Sequence, residues 1–188
     1  MTPPGDIEEW LAGKGSGFLK RVGVRPGQTV LDFGCSRGNY AKPAAEVAGP
    51  TGKVYAVDKD GEALNSLEQT IAEREIRNVE CLRLSENDEI PLPECAVDTA
   101  LLYDVLHGGY FPQTDQRMRV LRSIHRVLKP RGLLSLYPTH LKTYGLTFDK
   151  LIGEVKEAGF SLRGEAYRKL LHSGHFTRGH VFSFAKTS

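Results

Sequence analysis

A glycine-rich loop and an acidic residue form the strongest chemical signal in the sequence. The loop Gly34-x-Ser36-x-Gly38 follows the apolar stretch TVLDF, and a second apolar stretch, KVYAVD, ends at Asp58, 24 residues after Gly34. Glycines allow a tight turn and a close approach of a ligand to the backbone. A carboxylate that ends the neighbouring strand can accept hydrogen bonds from both ribose hydroxyls. The pattern therefore predicts a ligand that contains a nucleoside.

The acidic residue Asp32 indicates which nucleoside-containing ligand is expected. Dinucleotide sites need Gly-x-Gly-x-x-Gly, in which a helix N-terminus meets a pyrophosphate, and this loop departs from that spacing. Asp32 stands two residues before Gly34, where a carboxylate would repel a pyrophosphate but attract an ammonium group. The sequence therefore favours S-adenosylmethionine, whose methionine part carries an ammonium group, over NAD.

Apolar and amphipathic segments alternate along the chain. The predicted strands cover residues 29–33, 53–58, 79–84, 97–103, 133–137, 161–171 and 180–185. Predicted helices cover about residues 40–47, 61–71, 114–128 and 147–158. This alternation predicts parallel strands joined by right-handed crossovers. We expect an α/β fold, namely a Rossmann-like, doubly wound, mostly parallel seven-stranded sheet with helices on both faces and an antiparallel C-terminal hairpin that turns near Gly174.

Length and composition limit the domain organisation. A chain of 188 residues without an internal repeat or linker is expected to form one domain. Within it, residues 1–28 are predicted as helical decoration and residues 29–188 as the cofactor-binding core. Lys and Arg total 25 against 23 Asp and Glu, which does not favour nucleic acid as a partner. A membrane segment and a secretory signal are not expected, so the predicted location is the cytoplasm.

Four sequence blocks occur in the order expected of one enzyme family. They are VLDFGCSRGNY, KVYAVDKD, ENDEIPLPECAVDTALLYDVLH and HRVLKPRGLLSLY. These blocks resemble the successive motifs of class I S-adenosylmethionine-dependent methyltransferases, and the resemblance covers residues 29–185. The similarity is greatest to the compact group that contains quinone-biosynthesis and arsenite methyltransferases. The resemblance implies S-adenosylmethionine as the cofactor and methyl transfer as the activity.

The resemblance also assigns roles to the residues of the glycine loop. In the family, the acid and the glycines hold the methionine part of the cofactor, which implies that role for Asp32, Gly34 and Gly38. The acid that ends the second strand binds ribose, which implies that role for Asp58. Ser36 departs from the family because it replaces the middle glycine. We expect the serine to fit if its φ angle is ordinary.

Residues beyond the third and fourth strands complete the implied site. Glu86 holds the position of the family's usual Asp near the adenine amino group, and Asn87 is adjacent. Tyr103 ends the fourth strand where the family faces the sulfonium, so it is a candidate for both cofactor binding and catalysis. His107 follows and is the candidate general base for an acceptor that must lose a proton.

The cysteines predict neither a disulfide nor a metal site. Cys35, Cys81 and Cys95 are an odd number and are widely spread, which is typical of a reduced chain. Arsenite methyltransferases bind arsenic through several cysteine thiolates, and no convergent trio is expected here. Arsenic is therefore not the expected substrate.

The histidines do not predict a metal site either. His172, His175 and His180 are spaced by three and five residues around the predicted hairpin turn, which is not a recurrent ligand spacing. His125 and His140 carry no readable signal. The sequence prediction is therefore that no metal is bound.

The sequence leaves three hypotheses on function. The first is methyl transfer from S-adenosylmethionine to a small-molecule acceptor by in-line displacement. The second is a non-catalytic protein that binds S-adenosylmethionine or S-adenosylhomocysteine, or one that needs a partner to complete its site. The third, a nicotinamide-dependent oxidoreductase, is disfavoured by the missing third glycine position. The acceptor and the oligomeric state remain open at this point.

Overall fold

A computed structural model describes residues 5–84 and 89–187 of the chain. In these residues the strands are β1 (Thr29–Phe33), β2 (Lys53–Asp58), β3 (Val79–Arg83), β4 (Val97–Tyr103), β5 (Leu128–Tyr137), β6 (Phe160–His172) and β7 (His175–Lys186). The helices are α1 (Asp6–Glu9), α2 (Gly15–Val22), α3 (Ala41–Ala48), α4 (Gly61–Glu73), α5 (Thr114–Val127) and α6 (Phe148–Glu157), with a π-helical stretch at Trp10–Lys14 and a 3₁₀ turn at Lys142–Tyr144. Among the described residues, no helix is long and apolar enough to cross a bilayer.

The strands form one sheet in the order β3-β2-β1-β4-β5-β7-β6. The first five strands of that order are parallel, and β7 pairs antiparallel with both β5 and β6. This confirms the predicted fold class. The strand order reverses between β1 and β4, and in such sheets a crevice for ligands opens there, beyond the carboxyl ends of the strands.

Apolar clusters cover both faces of the sheet. Along β1, Val30 belongs to one cluster and Leu31 to the other, as the alternation of side chains in a strand requires. Phe18 of α2 and Leu67 of α4 pack into the cluster of Val30. Leu121 of α5 packs into the cluster of Leu31. Both faces are therefore buried, which explains the nearly continuous apolar character of the parallel strands.

The N-terminal segment is part of the core. Trp10 is 1% exposed, and its indole nitrogen donates a hydrogen bond to the carbonyl oxygen of Asn39 at 2.7 Å. Its ring packs edge-on against Tyr40, with 5.1 Å between the ring centroids. The first 28 residues, which the sequence predicts as decoration, thus contribute a large buried aromatic side chain beside the glycine loop.

Two strands begin five residues earlier than the sequence predicts. β5 begins at Leu128 rather than at residue 133, because Lys129–Gly132 form an irregularity between the pairs Val97–Leu128 and Thr99–Leu133. Proline cannot donate to a strand ladder, so a bulge is where it is tolerated. β7 begins at His175 rather than at residue 180, because Ser173 and Gly174 form a tight turn with positive φ angles of 49° and 81°.

Candidate functional site

A cavity of ≈ 390 Å³ lies beyond the carboxyl ends of β1, β2 and β4. The tip of the β6–β7 hairpin lines it from the other side. Its walls include Gly34, Asp58, Tyr103, Asp104, Phe111 and His172. The structure therefore brings three of the predicted residues, Gly34, Asp58 and Tyr103, to one cavity at the reversal point of the sheet.

The two loop glycines have different surroundings. Gly34 has a φ of 77°, and a Cβ there would lie 2.4 Å from the Val105 side chain. Gly38 has a φ of 75°, and a Cβ there would lie 2.4 Å from Leu67 of α4. Gly34 therefore lies at the cavity wall, whereas Gly38 is required for packing against a helix and does not line the cavity.

Ser36 does not have the ordinary φ that the sequence analysis expects. Its φ is 47°, in the left-handed region that disfavours residues with a Cβ. Its backbone N–H donates to Asp58 Oδ2 at 2.8 Å. The left-handed turn thus directs an amide at the carboxylate, and the serine occupies a conformation in which the family has glycine.

We expect Ser36→Gly to raise the free energy of unfolding by about 1 kcal/mol, because glycine adopts a positive φ without the strain of a Cβ. The measurement is urea denaturation of both proteins. The exposed Ser36 side chain is not required for the Asp58 contact, so the backbone amide should keep that contact in the variant. A loss of stability in Ser36→Gly would contradict this account of the loop.

The carboxylate of Asp58 is held by two backbone amides. Besides the Ser36 contact, the N–H of Asp60 donates to Asp58 Oδ1 at 3.0 Å. Each carboxylate oxygen can accept a further hydrogen bond. The side chain is therefore fixed in orientation at the cavity wall and keeps acceptor capacity for two ligand hydroxyls.

Asp32 lies behind this wall rather than on it. The side chain is 3% exposed, and its Oδ2 has no hydrogen-bond partner among the described residues. Burial, and then the charge of Asp58, raise the pKa of Asp32 to about 7 despite a hydrogen bond from the Ala41 amide. Its carboxylate is thus a buried group without a compensating cation among the described residues.

The raised pKa of Asp32 predicts a pH dependence of stability. The pKa of Asp32 in the folded chain lies above the value of about 3.9 in the unfolded chain. The protonated carboxyl therefore stabilises the folded chain fully below pH 4, and this stabilisation is lost as the pH rises through about 7. At pH 8 the ionised group should cost up to about 4 kcal/mol. Urea denaturation should show that Asp32→Asn stabilises the chain more at pH 8 than at pH 5.5.

Asp149→Asn is the control for this prediction, because it neutralises an exposed carboxylate. It should not change the pH dependence. Equal effects of Asp32→Asn at the two pH values would show that Asp32 does not carry an elevated pKa.

Tyr103 forms part of the wall with its hydroxyl already engaged. The hydroxyl forms a 2.6 Å hydrogen bond with Ser135 Oγ, and burial raises the pKa of Tyr103 above its usual value. Its ring packs edge-on against Tyr40, 4.7 Å between centroids. The phenol therefore stays protonated. This favours a role for Tyr103 in the cavity wall over a role in proton transfer.

His107, the candidate base, is 5% exposed and does not line the cavity. Its ring stacks on Tyr144, with 5.2 Å between the centroids, and its Nδ1 accepts a hydrogen bond from the Gly109 amide at 3.0 Å. Burial lowers the pKa of His107. A catalytic role for His107 stays a prediction. Glu86 and Asn87, the candidate adenine residues, lie outside the described residues.

One group of side chains at this site has no recognisable pattern in the sequence. Asp104, His140 and His172 offer ligand atoms that all lie within 4.8 Å of one another. Asp104 has a raised pKa, mainly because it is buried, although the nearby imidazoles oppose the shift. Sequence spacing could not reveal the group, because its members lie 36 and 32 residues apart along the chain.

A comparison with protein families agrees with the geometry. A family model described as a methyltransferase domain matches residues 31–134, more than half of the chain. The chain belongs to the methyltransferase domain family. The matched part of this methyltransferase domain begins in β1 and ends in β5, so it includes Gly34, Asp58 and Tyr103. The resemblance drawn from the sequence blocks is thus confirmed.

Individual relatives cover part of the methyltransferase domain. A demethylmenaquinone methyltransferase from Geobacillus sp. (strain WCH70) is 31% identical over 114 residues, which are 61% of this chain and 46% of that protein. An arsenite methyltransferase from Halobacterium salinarum is 30% identical over 113 residues, which are 60% of this chain and 27% of that protein. The chain therefore spans half or less of the length of these curated relatives.

The fold similarity extends further than the sequence similarity. A crystal structure described as a SAM-dependent methyltransferase from Aquifex aeolicus matches with a TM-score of 0.72 and 23% identity, over 93% of this chain and 89% of that one. The two proteins therefore share the fold.

Proposed function

We propose that this methyltransferase domain binds S-adenosylmethionine in the cavity and transfers its methyl group to a small-molecule acceptor by in-line displacement. The observation that carries the proposal is the Asp58 carboxylate, which the amides of Ser36 and Asp60 hold at the cavity wall. A carboxylate fixed in this position suits the two ribose hydroxyls of a nucleoside. The membership of the methyltransferase domain family supports the same cofactor.

The residues of the chain fit the methionine part of this cofactor. The Oδ2 atom of Asp32 is buried and lacks a hydrogen-bond partner among the described residues. A nearby ammonium group would compensate its charge, and the loop at Gly34 allows a ligand to approach the backbone closely. Glu86 and Asn87 remain our proposed contacts for the adenine.

The protein's task in this reaction is positioning. When bound, S-adenosylmethionine supplies a methyl group that the adjacent sulfonium makes electrophilic. The chain has to hold the acceptor in line and exclude water. The rings of Tyr103 and Phe111 line the cavity and suit this task, because they present apolar surface and no ionised group.

The walls favour a flat or apolar acceptor. Tyr110 and Tyr137 also line the cavity, and Tyr110 is 55% exposed and accessible to an entering molecule. The matching relative named for demethylmenaquinone supports an acceptor of this kind. Arsenite is less well supported as the acceptor, because the group of possible metal ligands among the described residues contains no cysteine.

All three cysteines are free, which supports a reducing compartment such as the cytoplasm.

The test is a screen of acceptors that follows the release of S-adenosylhomocysteine, with quinols, phenols and arsenite as separate classes. We expect release above the blank with a quinol or phenol, and much weaker release with Asp58→Ala. S-adenosylmethionine binding without release in any class would instead support the non-catalytic hypothesis. The screen therefore separates an enzyme from a cofactor-binding protein.

A further inference from the structure

Three side chains from three different elements meet beside the cavity. Asp104 follows β4, His140 lies three residues after β5, and His172 ends β6. Asp104 Oδ2 lies 3.0 Å from His172 Nδ1, and Asp104 Oδ1 lies 3.7 Å from His140 Nε2. His172 Nδ1 is buried and faces the Asp104 carboxylate at this distance. The group thus brings possible ligand atoms together beside the cavity.

We propose that Asp104, His140 and His172 bind a divalent transition metal ion, with Zn²⁺ as the best match. Two imidazoles and one carboxylate are a donor set that suits Zn²⁺, whereas Mg²⁺ requires oxygen ligands. Ligand atoms around a tetrahedral Zn²⁺ are separated by about 3.3 Å, given bonds of about 2.0–2.1 Å. The separations of 3.0 and 3.7 Å lie on either side of this value.

One neighbouring side chain orients the carboxylate, and a second lies near it without binding the ion. Thr139 Oγ1 donates a hydrogen bond to Asp104 Oδ1. His107 Nδ1 accepts from the Gly109 amide, so the proton of the neutral ring lies on Nε2, which faces Asp104 Oδ1 at 4.0 Å. A protonated nitrogen cannot bind a metal, so His107 is not a ligand of the proposed ion. Such partners of ligating carboxylates fix the geometry of metal sites.

The position of the group indicates what the ion would do. Asp104 and His172 line the cavity, while His140 and His172 line an adjoining groove of ≈ 710 Å³ that also includes Tyr137 and Phe148. Three protein ligands leave a fourth position open, as in catalytic zinc sites. Resting on the proposed function, we infer that this position takes the hydroxyl or thiol of the acceptor, which releases its proton to solvent as it binds.

The test is equilibrium dialysis of the chelator-treated chain against Zn²⁺, with Mg²⁺ in excess as a competitor. We expect one Zn²⁺ per chain, and a loss of affinity of about 100-fold or more in His172→Ala and in His140→Ala. His175→Ala is the matched control, because this histidine of the same hairpin is 86% exposed and lies apart from the group. Bound Co²⁺ should show the visible absorption of a tetrahedral site.

The absence of Zn²⁺ binding to the wild-type chain, or an equal loss in His175→Ala, would overturn the proposal. So would unchanged affinity in His172→Ala, since the ion would then bind elsewhere. Circular dichroism shows whether each variant is folded. If His172→Ala is not folded, His172→Gln replaces it. Titration of the metal-free chain with S-adenosylmethionine tests the proposed function separately, because the cofactor should bind without the ion.

Discussion

Replacing Glu154 with alanine is expected to lower the free energy of unfolding by about 3–5 kcal/mol. In the folded chain Glu154 forms a bidentate ion pair with Arg117, in which both N–O distances are 2.7 Å. The two side chains are 5% and 2% exposed. Removal of the carboxylate leaves a buried guanidinium without its counter-charge, and urea denaturation measures the resulting loss.

The same substitution should also weaken cofactor binding. Arg117 Nη1 donates to the carbonyl oxygen of Phe111 at 2.8 Å, and Phe111 lines the cavity. Glu157→Ala is the matched control, because Glu157 is exposed on the same helix, and it should behave like the wild type. A Glu154→Ala protein as stable as Glu157→Ala would show that the buried pair does not stabilise this fold.

Replacing Asp58 with alanine is expected to reduce S-adenosylmethionine affinity by about 10- to 100-fold. The substitution removes the acceptor for one or two ligand hydroxyls, each worth about 1 kcal/mol or more when charged. It also leaves the amides of Ser36 and Asp60 without their acceptor, which loosens the loop. Calorimetric titration measures the affinity.

Glu62→Ala controls for the loss of one negative charge near the cavity. Glu62 is exposed in the first turn of α4, and it does not line the cavity. It should bind the cofactor as tightly as the wild type. An unchanged affinity in Asp58→Ala would remove Asp58 from the proposed site.

The fold could be predicted from the sequence because its signals are local. The apolar stretches at 29–33, 53–58 and 97–103 coincide with β1, β2 and β4, and alternation with helices requires their parallel pairing. The start of β5 could not be predicted, because Pro130 and Gly132 have the local chemistry of a helix stop. Only the pairing with β4 shows that they lie in a bulge.

The site was predictable where it follows the strand ends. Gly34, Asp58 and Tyr103 each end or follow a strand, so the parallel sheet brings them together. The contact of Gly38 with Leu67 is a packing detail that the loop sequence does not encode. His140 approaches Asp104 because it follows β5, the parallel neighbour of β4. His172 approaches Asp104 only because the long β6–β7 hairpin returns over the cavity, and no spacing in the sequence reveals that return.

Calorimetric titration of the wild-type chain with S-adenosylmethionine and, separately, with NAD tests the central claim most directly. The Asp58 carboxylate and the loop at Gly34 predict that S-adenosylmethionine binds at one site per chain. The unpartnered carboxylate oxygen of Asp32 and the departure of the loop from the dinucleotide spacing predict that NAD, with its pyrophosphate, does not bind. Binding of NAD without binding of S-adenosylmethionine would contradict the proposed site.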